Sequence, residues 1–99
     1  MSELRFEWDA KKAADNVRKH GVTFDEAATV FDNRPIQRRY DLEHGSEDRE
    51  IVVGWSYRMR LLMVVIYEIE ENTIRVISAR RATRAEGLRF FTETEGSAG

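Results

Sequence analysis

The segment R-V-I-S-A-R-R-A-T-R-A-E, residues 75–86, begins as an apolar strand and ends as a row of guanidinium groups. Arg75, Arg80, Arg81 and Arg84, with Arg89 just beyond, crowd the edge of what must be core. Arginine's planar fork meets phosphate or carboxylate through two parallel hydrogen bonds, which a lysine ammonium cannot do. Two adjacent arginines closing a core strand need a strong anionic partner. That partner is either a phosphate or an acid of the chain itself, such as Glu47, Asp48 or Glu86. Further groups able to carry charge or move protons are Lys19 and His20, and His44, Glu47 and Arg49 in the loop D-L-E-H-G-S-E-D-R. Such a set suits RNA cleavage through the RNA's own 2′-OH. A base takes the 2′ proton, cations stabilise the charged phosphorane, and an acid protonates the leaving 5′ oxygen. DNA has no 2′-OH, so the same equipment points to RNA. Each residue also has a plainer reading. Lys19 and His20 in the last turn of a helix favour its dipole by roughly 0.3–1 kcal/mol, Glu86 fits a helix cap, and His44 fits an ordinary surface histidine.

The composition removes most other chemistries. The absence of cysteine excludes disulfides, thiol nucleophiles and cysteine-ligated zinc together. Asp41, Glu43, His44, Glu47 and Asp48 share a loop but match neither the EF-hand spacing nor H-E-x-x-H, so no metal is expected. Ser46, Ser56 and Ser78 lack a G-x-S-x-G context. With no glycine-rich phosphate loop either, no cofactor is expected. The formal charge is −2, so no global field draws the chain to nucleic acid. Charge is instead distributed by region: thirteen of the sixteen basic residues are arginine, and residues 58–89 hold seven of them against four acids. No apolar run nears the ~20 residues of a membrane span and no signal-peptide pattern opens the chain, so the cytoplasm is the expected compartment.

These residues must be held by a single domain, expected over 1–91, with 92–99 as a disordered tail. Residues 5–8 read as a short extended opening. Asp9 is a good N-cap for a helix over residues 10–20, with Ala10, Ala13, Ala14 and Val17 as its buried stripe and Gly21 ending it. Thr23 and Glu26 form a capping box for a second helix that buries Phe24, Ala27, Ala28 and Phe31. From Arg34 the apolar period becomes two, giving an edge strand after Pro35, a strand in E-I-V-V-G-W-S-Y, a central strand in L-L-M-V-V-I-Y-E-I, and a last strand in I-R-V-I-S-A-R. On that last strand Ile77 and Ala79 are expected on one face, with Val76, Ser78 and Arg80 on the other. Thr83 and Glu86 make another capping box, opening a helix with Leu88 and Phe91 toward the core. The class is α+β: two helices, an antiparallel sheet of about four strands and a C-terminal helix, with the helices on one face.

Several of these segments together resemble the BrnT family, the ribonuclease toxins of a bacterial type II toxin–antitoxin system. The matching pieces are F-E-W-D at 6–9, K-H-G-V-T-F-D-E-A at 19–27 and V-F-D at 30–32. The loop with Asp41, His44, Glu47 and Arg49 follows, then R-L-L-M-V-V-I-Y at 60–67 and the arginine segment at 75–86. The resemblance implies a fold similar to RelE-type toxins and metal-independent RNA cleavage that halts translation. It also implies a BrnA-like antitoxin bearing a ribbon-helix-helix segment, with DNA bound only through that complex. Among the residues matching the family pattern it implies catalytic work for Lys19, His20, Glu47, Arg80 and Arg81, and substrate contacts for His44, Arg49, Arg60, Arg75, Ser78 and Glu86. Three positions depart from the pattern. Gly87 follows Glu86 where the family usually has arginine, Phe90 replaces a tyrosine, and Tyr57-Arg58-Met59 stands where a glycine-containing reversal is commoner. The alternative, from another class, is a catalytically weak module that acts by complexing a partner or RNA.

Overall fold

Residues 3–41 and 48–94 are described by the computed structural model. The local signals act where the sequence places them. Asp9 accepts from the amide of Lys12 at 2.9 Å and starts α1 (Ala10–His20), which Gly21 ends with a left-handed φ of 68°. Thr23 Oγ1 accepts from the Glu26 amide and starts α2 (Phe24–Ala28), which tightens into a 3₁₀ turn over Thr29–Asp32. The last helix, α3 (Arg84–Thr94), has a reciprocal box: the Glu86 amide donates to Thr83 Oγ1, and the Thr83 amide donates to Glu86 Oε1. This helix runs to Thr94, past Phe91 and through Gly87, so residues 92–94 are helical and not part of a disordered tail.

The sheet contains one strand more than expected and is mixed. Residues 5–8 do more than extend: Arg5–Glu7 is strand β1 and pairs in parallel with the last strand. The others are β2 (Ile36–Tyr40), β3 (Arg49–Trp55), β4 (Leu61–Glu70) and β5 (Thr73–Arg81), and the order across the sheet is β1-β5-β4-β3-β2. The doubly apolar β4 is thus the central strand, as its pattern requires. Val52, Leu62, Val64, Ile66, Ile74, Val76 and Ala79 face α2 and the 3₁₀ turn, and with Val22, Phe24, Ala27 and Val30 they form the main core. The 3₁₀ turn and β2 come so close to β3 that a Cβ on Gly54 would lie 2.7 Å from Val30 Cγ1 and 2.9 Å from Ile36 Cγ2.

Three side-chain placements differ from the sequence pattern. The helices do not share one face: α3 lies on the opposite side of the sheet, where buried Phe90 meets Val53 and Met63. Leu88 and Phe91, expected in the core, are 63% and 57% exposed. In α1 the expected stripe also fails. Val17 is 44% exposed, and the buried residue is Asn16.

Asn16 is buried because β5 needs it. Strand β1 covers only Thr73, Ile74 and Arg75 of β5, leaving the rest of that edge without a strand neighbour. The Asn16 amide substitutes for one. It donates to the Ala79 carbonyl at 2.8 Å and to the Val22 carbonyl at 2.9 Å, and its oxygen accepts from the Ala79 amide at 3.1 Å. An amide side chain carries both donors and an acceptor, so one residue satisfies a buried strand edge. Asn16→Ala should therefore cost about 1–3 kcal/mol in urea unfolding, with faster hydrogen exchange at the Ala79 amide.

Candidate functional site

The face of the sheet opposite α2 carries the cations. Directly paired residues of neighbouring strands put their side chains on the same face. Reading along the register, Gln37 and Arg39 of β2 stand opposite Val53 and Ile51 of β3. Arg49, Ile51 and Val53 in turn oppose Tyr67, Val65 and Met63 of β4. Those three oppose Arg75, Ser78 and Arg80 of β5. Helix α3 covers only one end of this surface. The uncovered remainder therefore presents Arg39, Arg49, Arg75 and Ser78 around a floor of Ile51, Val65 and Tyr67, with Arg80 at the border of the part that α3 covers. A groove of about 560 Å³ lies at its far end, between Lys12, Arg49, Tyr67 and Arg75.

Arg75 and Arg80 reach the same face through a bulge. Val65 pairs with Ser78, but the next residue, Ile66, pairs with Val76, so Ile77 is an extra residue in β5. Strict alternation would have put Val76 with Ser78 and Arg80. The bulge instead puts Val76 in the core with Ala79, and Arg75 on the open face.

The arginine pair ending β5 is split. Arg80 opposes Met63 on the open face, whereas Arg81 opposes Leu62 on the helix side, so the two do not form one clamp. Arg80 finds its anion internally: Nη1 and Nη2 donate to the two oxygens of Glu86 at 2.8 Å each, and Nη2 also meets Met63 Sδ. This bidentate bond, helped by the Thr83 amide and opposed by burial, holds the Glu86 carboxyl at about 2 against an ordinary value of 4.5. A carboxylate so held is a poor base, and its two bonds fix the Arg80 guanidinium. Arg81 is exposed and, among the described residues, has no hydrogen-bonding or ionic partner for its side chain.

Arg60 is also internally paired. Its Nε donates to Glu26 Oε2 at 2.9 Å, its Nη2 pairs with Glu26 Oε1, and Nη2 reaches the Gly21 carbonyl at 3.2 Å. The Glu26 side chain is 2% exposed. Instead of returning to Thr23 as a capping-box glutamate would, it takes the Ser56 hydroxyl at 2.7 Å, and Arg60 is the main cause of its lowered pKa. Ser56 Oγ accepts from the amides of Arg58 and Arg60, so the carboxylate secures the whole reversal from β3 to β4. Within that turn Met59, with φ 62°, takes the left-handed position a glycine would otherwise fill.

Lys19 and His20 are exposed on the last turn of α1. The Gly21–Arg60 bond brings that helix end to the start of β4, and the Ala82 amide bonds the Leu61 carbonyl at 2.9 Å. Lys19, His20 and Arg81 therefore lie at the same end of the sheet. His44 and Glu47 lie outside the described residues. Among the described residues no group of three or more His, Cys, Asp or Glu side chains could hold a metal ion. Beside this end, Trp55, Leu61, Leu88 and Phe91 line an apolar cleft of about 320 Å³. The sequence pattern gives no role to Asn16 or Tyr67 and makes Glu26 only a capping-box residue. Asn16 lies outside the alanine stripe of α1, and its strand partner Ala79, like the partners of Glu26 and Tyr67, comes from a distant segment.

Residues 8–86 match the family model described as the ribonuclease toxin, BrnT, of type II toxin–antitoxin systems. The chain belongs to the BrnT family. The crystal structure of the Brucella abortus ribonuclease toxin BrnT resembles it with a TM-score of 0.64 at 20% identity, over 85% of this chain and 100% of that one. No curated protein matches it. Membership in the BrnT family makes the chain a toxin of the ribonuclease class, with an antitoxin for a partner. Two departures from the BrnT pattern acquire a structural account. Phe90 is a core ring, and Gly87 sits in the wall of the apolar cleft.

The two internal ion pairs make separate predictions. Arg60→Ala strands the buried Glu26 carboxylate and should cost about 3–5 kcal/mol of stability, read by urea unfolding. Glu86 has a lowered pKa in the folded state, so its contribution is present above about 4.5 and is lost as pH falls toward about 2. The stability gap between wild type and Glu86→Gln should accordingly narrow through that window.

Proposed function

We propose that this chain cleaves RNA through the substrate's 2′-OH without a metal ion, and that the cleavage halts translation in the cytoplasm. One observation carries the reading: the bulged β5 brings Arg75 and Arg80 to the same sheet face as Arg39 and Arg49, and α3 covers only one end of that face. Arg39 and Arg49 have no hydrogen-bonding or ionic partner for their side chains among the described residues, and a fold has no structural need for such arginines beside an apolar floor. A polyanion with planar bases has a use for both.

The RNA backbone runs along this face, held by Arg39, Arg49 and Arg75. The reacting phosphate sits at the end of β5. Arg80 approaches it from the open side with its Nε–H, its fork being fixed by Glu86, and Arg81 approaches from the other side. His20 takes the 2′ proton as the 2′ oxygen attacks phosphorus and returns it to the 5′ oxygen as the P–O5′ bond breaks, and Lys19 adds charge at the same end of the sheet. Glu47 is the alternative proton carrier from the sequence reading. Arg60 and Glu86 act as positioning residues, since each has its charge engaged within the fold. Ser78 and His44 contact substrate in this reading.

The antitoxin is BrnA-like, with a ribbon-helix-helix segment that brings DNA to the complex, as the resemblance implies. The cleft beside Trp55, Leu88 and Phe91 offers it the exposed apolar surface a stable partner needs.

Arg81→Ala is the cleanest test, because nothing described in the fold depends on that side chain. Wild type should cleave naked RNA in EDTA, and Arg81→Ala should be slower by about 100-fold or more. An unchanged rate in the variant overturns the assignment of Arg81. A folded wild-type chain that binds RNA and leaves it whole in EDTA, with or without ribosomes, supports the binding-module alternative.

A further inference from the structure

The groove at the far end of the open face has a composition that phosphate binding alone does not explain. Its centre is an aromatic ring. Tyr67 of β4 stands in register with Arg49 of β3 on one side and with Arg75 of β5 on the other, so a guanidinium flanks the ring on each side. Adjacent strands lie about 4.8 Å apart, which places both cations within reach of anything resting on the ring. The ring is half-buried and joins no aromatic pair among the described residues. Ile69, 45% exposed, and Ile77 give the groove apolar sides, and Lys12 reaches it from α1.

The cations of the groove differ in their freedom. Arg75 Nη1 bonds Glu7 at 2.9 Å, but both side chains are more than two-fifths exposed, and such a surface pair is weak and easily exchanged. Arg49 has no hydrogen-bonding or ionic partner for its side chain among the described residues. Asp48, the acid of the wall, is engaged in an interaction within the chain. The volume of about 560 Å³ falls in the range of small-molecule sites and exceeds what a lone phosphate fills. A ligand that matches an aromatic platform, apolar sides and a cation on either flank is planar, heteroaromatic and anionic at its ends.

We propose that this groove seats one unpaired base of single-stranded RNA, stacked on Tyr67, with its neighbouring phosphates on Arg49 and Arg75. The inference rests on the open face being the RNA-binding surface and adds a base-recognition seat remote from the reacting end of β5. It makes binding selective for single strands, because a base paired in a duplex cannot leave its stack to reach the ring.

The test uses a single-stranded oligoribonucleotide carrying 2-aminopurine, with 2′-O-methyl sugars so that it cannot be cleaved. Anisotropy reports affinity, and aminopurine quenching reports stacking. Tyr67→Phe keeps the ring and should bind and quench like wild type. Tyr67→Leu should bind on the order of tenfold more weakly and lose the quenching, with the salt dependence of binding unchanged. Arg49→Gln should bind more weakly while lowering the salt slope by about one. If wild type binds the oligonucleotide and Tyr67→Leu binds and quenches equally well, the base seat is overturned and the RNA-binding face survives. If wild type binds no RNA at all, the reading of the face fails and the seat with it. A duplex that competes as well as the single strand also overturns the seat.

Discussion

The arginine face depends on a single extra residue. Alternation along a strand would place Arg75 and Arg80, five positions apart, on opposite sides of the sheet. Ile77 bulges out of the β4–β5 ladder and reverses the parity once, which brings both arginines to the same side and leaves Val76 and Ala79 together in the core. Bulges re-aim side chains in this way at the cost of one unpaired residue. Here the re-aimed strand is long and buried against α2, so the rest of the sheet is stable enough to hold the irregularity. Everything attributed to the open face, the reacting end as well as the groove at Tyr67, follows from that register.

Two buried polar contacts then fix the frame around it. Asn16 closes the part of β5 that β1 leaves open and so ties α1 to the sheet edge. Glu26 ties α2 to the β3–β4 reversal through Ser56 and Arg60. Both contacts are fully satisfied, and among the described residues no buried side-chain donor or acceptor lacks a partner. Polar groups at such places cost little when every bond is made and much when one is missing. They also specify position more narrowly than apolar packing does, which suits elements that must present charged side chains at fixed points.

The arginines divide by the same logic. Arg38 meets Glu50, Arg60 meets Glu26 and Arg80 meets Glu86, each through two nitrogens of the fork. Each of these ties together segments distant in sequence or caps a helix. Arg49 and Arg81 have no such partner among the described residues, and both lie on surfaces framed by the paired ones. An arginine-rich segment is thus part scaffold and part binding surface. The carboxylate within reach of each guanidinium decides which.

Local signals were legible in the sequence. The helix starts at Asp9, Thr23 and Thr83, the stop at Gly21 and the central strand of doubly apolar β4 all depend on residues a few positions apart, and each stands where its pattern says, although Glu26 leaves its half of the Thr23 box unmade. The family was legible as well, because it rests on the order of short segments. Contacts between distant segments were not legible. The parallel strand at 5–7, the side on which α3 packs, the burial of Asn16 in place of Val17, and the separation of Arg80 from Arg81 all depend on what lies across the sheet. The bulge is the sharpest case. A run of alternating residues carries no mark of where one of them will fail to pair, because the ladder forms with β4, and only the packing of both faces selects its register.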